Sequence, residues 1–489
     1  MTPTHTAPSD PIEHVILLLL ENRSFDQMLG CFQSQYPSLE GVDPAHPRFN
    51  VDKNGNQFFQ KETREQQMEL DPGHGLKDVL AQLENNNGGF IKNFVDRHSG
   101  STSDQRQQIM SFYPLMFLDA LHRMARDFTI CDHWFSSVPG PTWTNRFFAL
   151  SGTSSGRVEM PEGIKDPRLG EFFRQDQTTL FDQLNDKDVS WRVYFYDFPS
   201  SLILNHQRRA ENLGNYVGMD QFFKDAAHTR PFPEFSLIEP KYAGRDQNDD
   251  HPPHNIMKGE KLIADVYNAI RAQDDLWKSS LIVVLFDEHG GFYDHVSPPA
   301  AVPPDEKQDE YTFDRLGVRV PAVLVSPWVD KRVETTVFDH TSLLRYLIDK
   351  WGLGPLGART AAANSIGVAI QRPTPRDDTL PFIRVSQTHL TPPRPELEFE
   401  DTTEHHAALD AFGEFLMGEL DDVAAAAIKR VARIASVYAR SKNTVGKLLI
   451  GAGSRLTKQF QQHNQRRAQM ITDVILARIG QRPRPTAER

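Results

Sequence analysis

The chain has 489 residues, 39% of them hydrophobic, with 54 Lys+Arg against 65 Asp+Glu and a net charge of −11. This composition supplies a large globular core and excludes a small disulfide scaffold, since Cys31 and Cys131 are the only cysteines. The acid excess argues against a general nucleic-acid binder, which carries a basic face.

Residues 1–10 contain no Lys or Arg, and the apolar run that follows is too short for a secretory signal core. No uninterrupted apolar stretch is long enough to span a bilayer. The expected compartment is the cytoplasm by default, with export by a route that needs no cleaved signal left open. The two cysteines are read as free thiols in preference to a disulfide.

Residues 12–20, IEHVILLLL, are a short apolar run ending on Glu21 and predict a buried strand. Residues 36–70 and 198–258 are polar and irregular, which predicts long loops or a cap over the site. Helical periodicity covers 259–271 and 341–351. Between them, 281–286 (LIVVLF) predicts a second buried strand ending on Asp287 and Glu288, and 320–325 (VPAVLV) a third ending on Ser326-Pro327. Wholly apolar strands alternating with helices predict an α/β domain over 1–366, with a mostly parallel central sheet between helices. Ligands of such sheets bind beyond the carboxyl ends of the strands, where two of the three runs deliver acids.

Prolines 373, 375, 381, 392, 393 and 395 predict a linker over 367–400. Beyond it, apolar residues recur every three or four positions from 408 to 437, which predicts a helical extension over 401–489. Residues 429–489 hold fourteen Lys/Arg against two acids, leaving the rest of the chain at −23. That sign reversal predicts an interaction tail.

The side chains with chemical potential fall in five short segments. In Glu21-Asn22-Arg23-Ser24-Phe25-Asp26, a carboxylate and an amide oxygen at a strand end suit a divalent cation. The same segment also fits a helix cap. Asp71-Pro72-Gly73-His74 offers a histidine to phosphate oxygens. Pro139-Gly140-Pro141-Thr142 is a rigid loop that can expose a hydroxyl, followed by Asn145 and Arg146 as donors to phosphate. A threonine hydroxyl needs a metal or a base to become a nucleophile.

In Asp249-Asp250-His251-Pro252-Pro253-His254, His251 fits a general acid or a metal ligand. After the 281–286 strand, Asp287 and Glu288 cannot stay charged and buried without a partner, which a metal supplies. Gly290-Gly291 permits a tight turn or close backbone approach. His289 and His295 are read as structural or loop-stabilising.

Taken in order, Glu21-Asn22-Arg23-Ser24-Phe25-Asp26, Gly140-Pro141-Thr142 with Asn145-Arg146, His251-Pro252-Pro253 and Phe286-Asp287-Glu288-His289-Gly290-Gly291-Phe292-Tyr293-Asp294-His295 resemble a bacterial phosphoesterase family. That family includes non-haemolytic phospholipases C and respiratory-burst-inhibiting acid phosphatases. The resemblance covers about residues 12–360. It implies an alkaline-phosphatase-like α/β fold and a divalent metal (Ca, Mg, Mn or Zn) held by Glu21, Asn22, Asp287 and Glu288. It further implies Thr142 as a transiently phosphorylated nucleophile, with His74 and His251 binding phosphate or moving protons.

The sequence departs from the family pattern at Thr144, where proline is usual, and in its basic helical tail, which stands where larger relatives carry β-rich modules. The expected function is therefore a phospholipase C acting on glycerophospholipids. The alternatives are a broad-specificity acid phosphatase and a phospholipase effector exported without a signal. The tail would either reach an anionic membrane surface or pack on the catalytic domain. Composition leaves the oligomeric state open.

Overall fold

The first apolar run becomes β1 (His14–Leu20), and its residues 15–20 are all buried. Successive strand residues point to opposite faces, so this burial means that both faces of the sheet are covered. Each large aliphatic side chain contributes roughly 1.5–3 kcal/mol on leaving water. The computed structural model describes residues 10–161, 166–196, 199–227, 231–242 and 247–386, together with Ala408, Ala411, Phe412 and Phe415.

The other strands of this sheet are β2 (Thr129–Cys131), β3 (Trp191–Phe195), β4 (Tyr216–Gly218), β5 (Phe235–Glu239), β6 (Ser280–Phe286), β7 (Ala322–Val325) and β8 (Arg332–Glu334). The eight run in the order β8-β2-β7-β6-β1-β5-β3-β4. Every neighbouring pair is parallel except those made by β7, which is antiparallel to β6 and to β2. The expected α/β architecture with a mostly parallel sheet is present.

The reversal of β7 has a consequence at the site edge. Its amino end, not its carboxyl end, lies beside the carboxyl end of β6, so Arg319 arrives there. Ser326 goes to the opposite edge, where its hydroxyl donates to the Ser280 carbonyl at 2.8 Å.

The stretches expected as loops carry more structure than their composition suggests. Residues 36–70 contain a hairpin, Phe49–Val51 paired with Gln57–Phe59. Residues 198–258 contribute β4 and β5 to the main sheet. These strands are short and broken by polar residues such as Ser236 and Glu239, so they lack a sustained apolar run.

Six helices matter for the site: α1 (Phe25–Met28), α2 (Leu76–Gln82), α3 (Phe90–Arg97), α4 (Thr142–Ser151), α5 (Ile256–Arg271) and α6 (His340–Trp351). Asn255 caps α5 by accepting from the Met257 amide at 2.9 Å, and Asp339 caps α6 through a capping box with Ser342. Gly152 ends α4 and Gly352 ends α6, both left-handed at φ 73° and 60°.

Residues 370–386, expected to begin a linker, are bound to the domain. Tyr267 donates to the Leu380 carbonyl at 2.5 Å, and Asn268 exchanges two 2.8 Å bonds with Ile383. Phe412 and Phe415, at the start of the expected helical extension, lie against Phe173 with ring centroids 4.9 and 5.2 Å away. The basic stretch 429–489 lies outside the described residues. Cys31 and Cys131 are free and buried. Among the described residues, no helix is long and apolar enough to cross a membrane.

One buried acid makes stability pH-dependent. Glu260, on α5, accepts from the Ala120 amide and from the Leu121 amide at 3.2 Å. Burial pushes its carboxyl from 4.5 up to about 8. A carboxyl raised in the fold stabilises fully below its unfolded pKa, and that contribution fades as pH rises through about 8. Wild type should therefore lose up to about 1.4 kcal/mol per pH unit between these limits relative to Glu260→Gln. Tm measured against pH for both proteins checks this, and parallel curves would refute it.

Candidate active site

Backbone register places the first two acids side by side. In the β1–β6 pair Leu20 is level with Phe286, so Glu21 and Asp287 leave adjacent strands at the same height. The Asp287 amide donates to the Leu20 carbonyl at 3.1 Å, and the Asp287 carboxylate accepts from the amides of Asn22 (3.3 Å) and Glu288 (2.7 Å). Glu288 in turn accepts from the Gly290 amide at 2.7 Å. Gly290 and Gly291 adopt φ 64° and 73°. A Cβ on Gly290 would lie 2.3 Å from the Asn22 carbonyl oxygen, and one on Gly291 2.6 Å from that of Gly73. The expected close approach is therefore real, and it clamps the 21–26 segment and the His74 loop to either side of this turn.

Thr142 is the first residue of α4 and fully buried. Its hydroxyl donates to Asn22 Oδ1 at 3.2 Å. The rigid Gly140-Pro141 entry thus delivers the hydroxyl to the Asn22–Asp287 junction, at a helix N-terminus that favours negative charge. Thr144, where the family pattern has proline, sits inside the first turn and donates to the Val158 carbonyl at 2.6 Å.

Asn145 and Arg146 were expected to bind substrate phosphate, and the structure commits both elsewhere. Asn145 donates to the Gly140 carbonyl at 2.9 Å and accepts from the Val138 amide at 3.1 Å, fixing the loop ahead of Thr142. The Arg146 guanidinium is enclosed by acids. It reaches Asp287 at 2.8 Å, Glu21 at 3.1 Å and Glu239 at 3.2 Å, and donates to Tyr242 at 2.8 Å. A fork of five N–H donors is the side chain able to serve several carboxylates at once.

Glu239 and Tyr242 were not anticipated. Glu239 ends β5 as Glu21 follows β1, on a shorter apolar run. Its carboxylate also takes bonds from Ser200 (2.6 Å), the Ser201 amide (2.9 Å) and Tyr242 (2.7 Å).

The histidines separate by partner. His74 Nδ1 lies 2.9 Å from the Pro72 carbonyl and His251 Nδ1 2.5 Å from that of Pro252. A carbonyl only accepts, so both Nδ1 atoms carry hydrogen, and Nε2 is left as the base or acid of each ring. The rings meet edge to face at 5.6 Å, and with Asp71 they bring ligand atoms within 4.8 Å of one another.

His289 bonds Gln82 at 2.7 Å, and burial pushes its pKa down to about 3, so it is a neutral brace. His295 is held by Asp26 at 2.8 Å, which agrees with its loop-stabilising reading. Gln82, another unanticipated residue, also donates to the Gly73 carbonyl at 2.6 Å and so links His289 to the His74 loop. Ser24 both caps α1 and donates to the Tyr293 carbonyl at 2.8 Å, so the cap reading of the 22–26 segment holds beside its place at the site.

The acids at the strand ends fit a cation by charge. Glu21, Asp287 and Glu239 share one guanidinium, and Glu288 lies beside them. Burial pushes the Asp287 carboxyl up to about 8 despite Arg146, with Glu21 and Glu288 adding to the rise. Asn22 Nδ2, a donor, is buried without a hydrogen-bond partner and so calls for an acceptor such as a phosphate oxygen, not for a cation. An oxygen-rich, over-negative, water-poor centre is stabilised by a metal or a proton. Among the described residues, the groups whose ligand atoms close to 4.8 Å are Asp71–His74–His251 and Asp26–Asp294–His295. The Glu21, Asp287 and Glu288 set is wider than that, with Arg146 bridging two of its members.

Comparison with known proteins gives this geometry its context. The profile of the Phosphoesterase family matches residues 12–354. Non-specific phospholipase C3 of Arabidopsis thaliana is 31% identical over 76% of this chain and 76% of its own length. Non-hemolytic phospholipase C of Pseudomonas aeruginosa is 28% identical over 70% of this chain and 54% of its own. A solved alkaline phosphatase superfamily protein from Vibrio parahaemolyticus overlaps 74% of this chain and 73% of its own at TM-score 0.33 and 9% identity, a likeness too slight to add anything. The profile match takes in every acid, the hydroxyl and both histidines described above, and by it the chain belongs to the phosphoesterase family, as a phosphoric ester hydrolase similar to phospholipases C.

Proposed function

We propose that the protein is a phospholipase C that hydrolyses glycerophospholipids through a phosphothreonine intermediate on Thr142. The observation that carries this reading is the buried Thr142 hydroxyl at the head of α4, 3.2 Å from Asn22 Oδ1 and beside the acids at the ends of β1 and β6. Similarity to phospholipases C from a plant and a bacterium supports the substrate class.

In this mechanism Thr142 Oγ gives up its proton to solvent and attacks phosphorus, and the bond to the diacylglycerol oxygen breaks. His251 Nε2, protonated, gives its proton to that oxygen. Water then gives a proton to His251 Nε2 and attacks phosphorus, the bond to Thr142 Oγ breaks, the phosphorylated head group leaves, and Thr142 Oγ takes a proton from solvent. His74 steadies the phosphate oxygens. Arg146 bridges Glu21 and Asp287 and holds both side chains in place. A divalent cation held by Glu21, Asn22, Asp287 and Glu288 would neutralise phosphate charge and favour the Thr142 alkoxide; Ca, Mg and Mn suit these oxygens, and Zn also accepts carboxylates.

The test is release of phosphorylated head group from phosphatidylcholine and phosphatidylethanolamine vesicles, with p-nitrophenyl phosphate alongside, in chelator and after each metal is restored. Lipid cleavage lost in chelator and recovered with one metal is expected. Hydrolysis of the soluble ester alone would make the protein a phosphomonoesterase. Undiminished turnover in chelator would remove the metal from the mechanism.

A further inference from the structure

The hairpin Phe49–Val51/Gln57–Phe59 carries a face that solvent does not explain. Pairing Phe49 with Phe59 and Asn50 with Phe58 turns Asn50 and Phe58 inward, where both are buried. The outward face then presents Phe49, Val51 and Phe59, which are 48, 39 and 43% exposed, with Gln57 as its polar member. An antiparallel ribbon facing water normally alternates apolar inside with polar outside. Here three of the four outward side chains are apolar. The Phe49 and Phe59 rings lie 5.2 Å apart and form one continuous patch.

The back of the hairpin is fastened to the catalytic edge. Asn50 accepts from the Phe90 amide at 3.0 Å and donates to the Asn87 carbonyl at 3.1 Å, and Asn87 donates to the Asp294 carbonyl at 2.9 Å. Just past the second strand, Gln60 donates to Asp26 at 3.0 Å. Asp26 and Asp294 belong to the two segments that carry Glu21-Asn22 and Asp287-Glu288. The patch is therefore held rigidly on the side of the sheet where Thr142 reacts.

The charges around it are of the opposite sign to the chain average. Lys53 at the tip and Lys61 after the second strand are exposed, and Arg48 precedes the first strand. Asp52 is buried and paired with Arg106 at 3.2 Å, which leaves Glu62 as the exposed acid of residues 48–62.

We infer that this hairpin is a membrane-docking face, which lies flat on an anionic lipid surface with Phe49, Val51 and Phe59 in the boundary between head groups and acyl chains. Aromatic and aliphatic side chains flanked by lysine gain from both the apolar layer and the anionic surface. The polar tip, Asp52 to Asn56 in sequence, keeps the ribbon at the interface. This inference rests on the phospholipase reading for its purpose, while its binding test does not depend on turnover.

The full-length protein and the F49S/F59S variant are compared for co-sedimentation with vesicles of phosphatidylcholine and phosphatidylserine, and for hydrolysis of p-nitrophenyl phosphate. The variant should lose vesicle affinity by about tenfold or more and keep soluble-ester hydrolysis, since both rings lie on the outward, exposed face of the hairpin. Wild type that binds vesicles but cleaves no lipid would defeat the phospholipase reading and leave the docking face intact. Equal vesicle binding by both proteins overturns the inference, as does a wild type that does not sediment with vesicles. Loss of self-association on gel filtration with vesicle binding unaltered overturns it too and assigns the face to a second copy of the chain. If F49S/F59S fails to fold, K53E/K61E gives the same reading from two exposed side chains, with binding again expected to fall.

Discussion

Thr142→Ala is expected to lower kcat by at least roughly 10⁴-fold, the scale on which loss of a nucleophile acts. The residue is buried at the head of α4, and its hydroxyl makes one bond, to Asn22. Removing a methyl and that bond costs about 1–2 kcal/mol of stability, which leaves the domain folded. Thr142→Ser keeps a hydroxyl in place and should retain turnover within about tenfold. Wild type acid-quenched during turnover of phosphatidylcholine should carry a phosphocholine ester on Thr142 by mass spectrometry, and the Ala variant should carry none. Near-normal turnover in Thr142→Ala would end the nucleophile assignment.

The second large effect is on stability. Arg146→Met should destabilise the protein by about 3–5 kcal/mol, the cost of leaving buried charges without their partner. Glu21, Asp287 and Glu239 would face one another with no guanidinium between them. The loss has a pH signature. Without Arg146 the carboxyls bind protons more readily in the fold, so the penalty shrinks as pH falls and grows as pH rises.

Arg146→Lys should restore little, because one ammonium cannot reach three carboxylates and Tyr242 together. Denaturant melts of the three proteins at acid and alkaline pH check this. A variant as stable as wild type, with only KM raised, would return Arg146 to the phosphate-binding role that its position after Thr142 first suggested.

Much of the site was legible because its donors follow features that sequence displays well. Glu21, Asp287 and Glu288 follow unbroken apolar runs, and a charge at the end of a buried strand has few innocent explanations. Thr142 is flanked by Gly140 and Pro141, which fix its backbone. Glu239 has the same relation to β5, but the run ahead of it is short and includes Ser236, so it falls within the 198–258 stretch read as loops or a cap. Tyr242 and Gln82 carry no local signal at all, since their partners Arg146 and His289 lie 96 and 207 residues away.

By itself, the sequence determined the α/β class, the chemistry offered at two strand ends, the hydroxyl between them and the family to which these motifs point. Those are local properties: apolar run length, turn chemistry and the order of short motifs. Tertiary structure alone decided that β7 runs against its neighbours, that Asn145 braces a loop, that Arg146 serves three acids and that Phe49 and Phe59 share an outward face. Each of these depends on strand register and on contacts between distant segments, where a shift of one residue would turn every side chain to the other face.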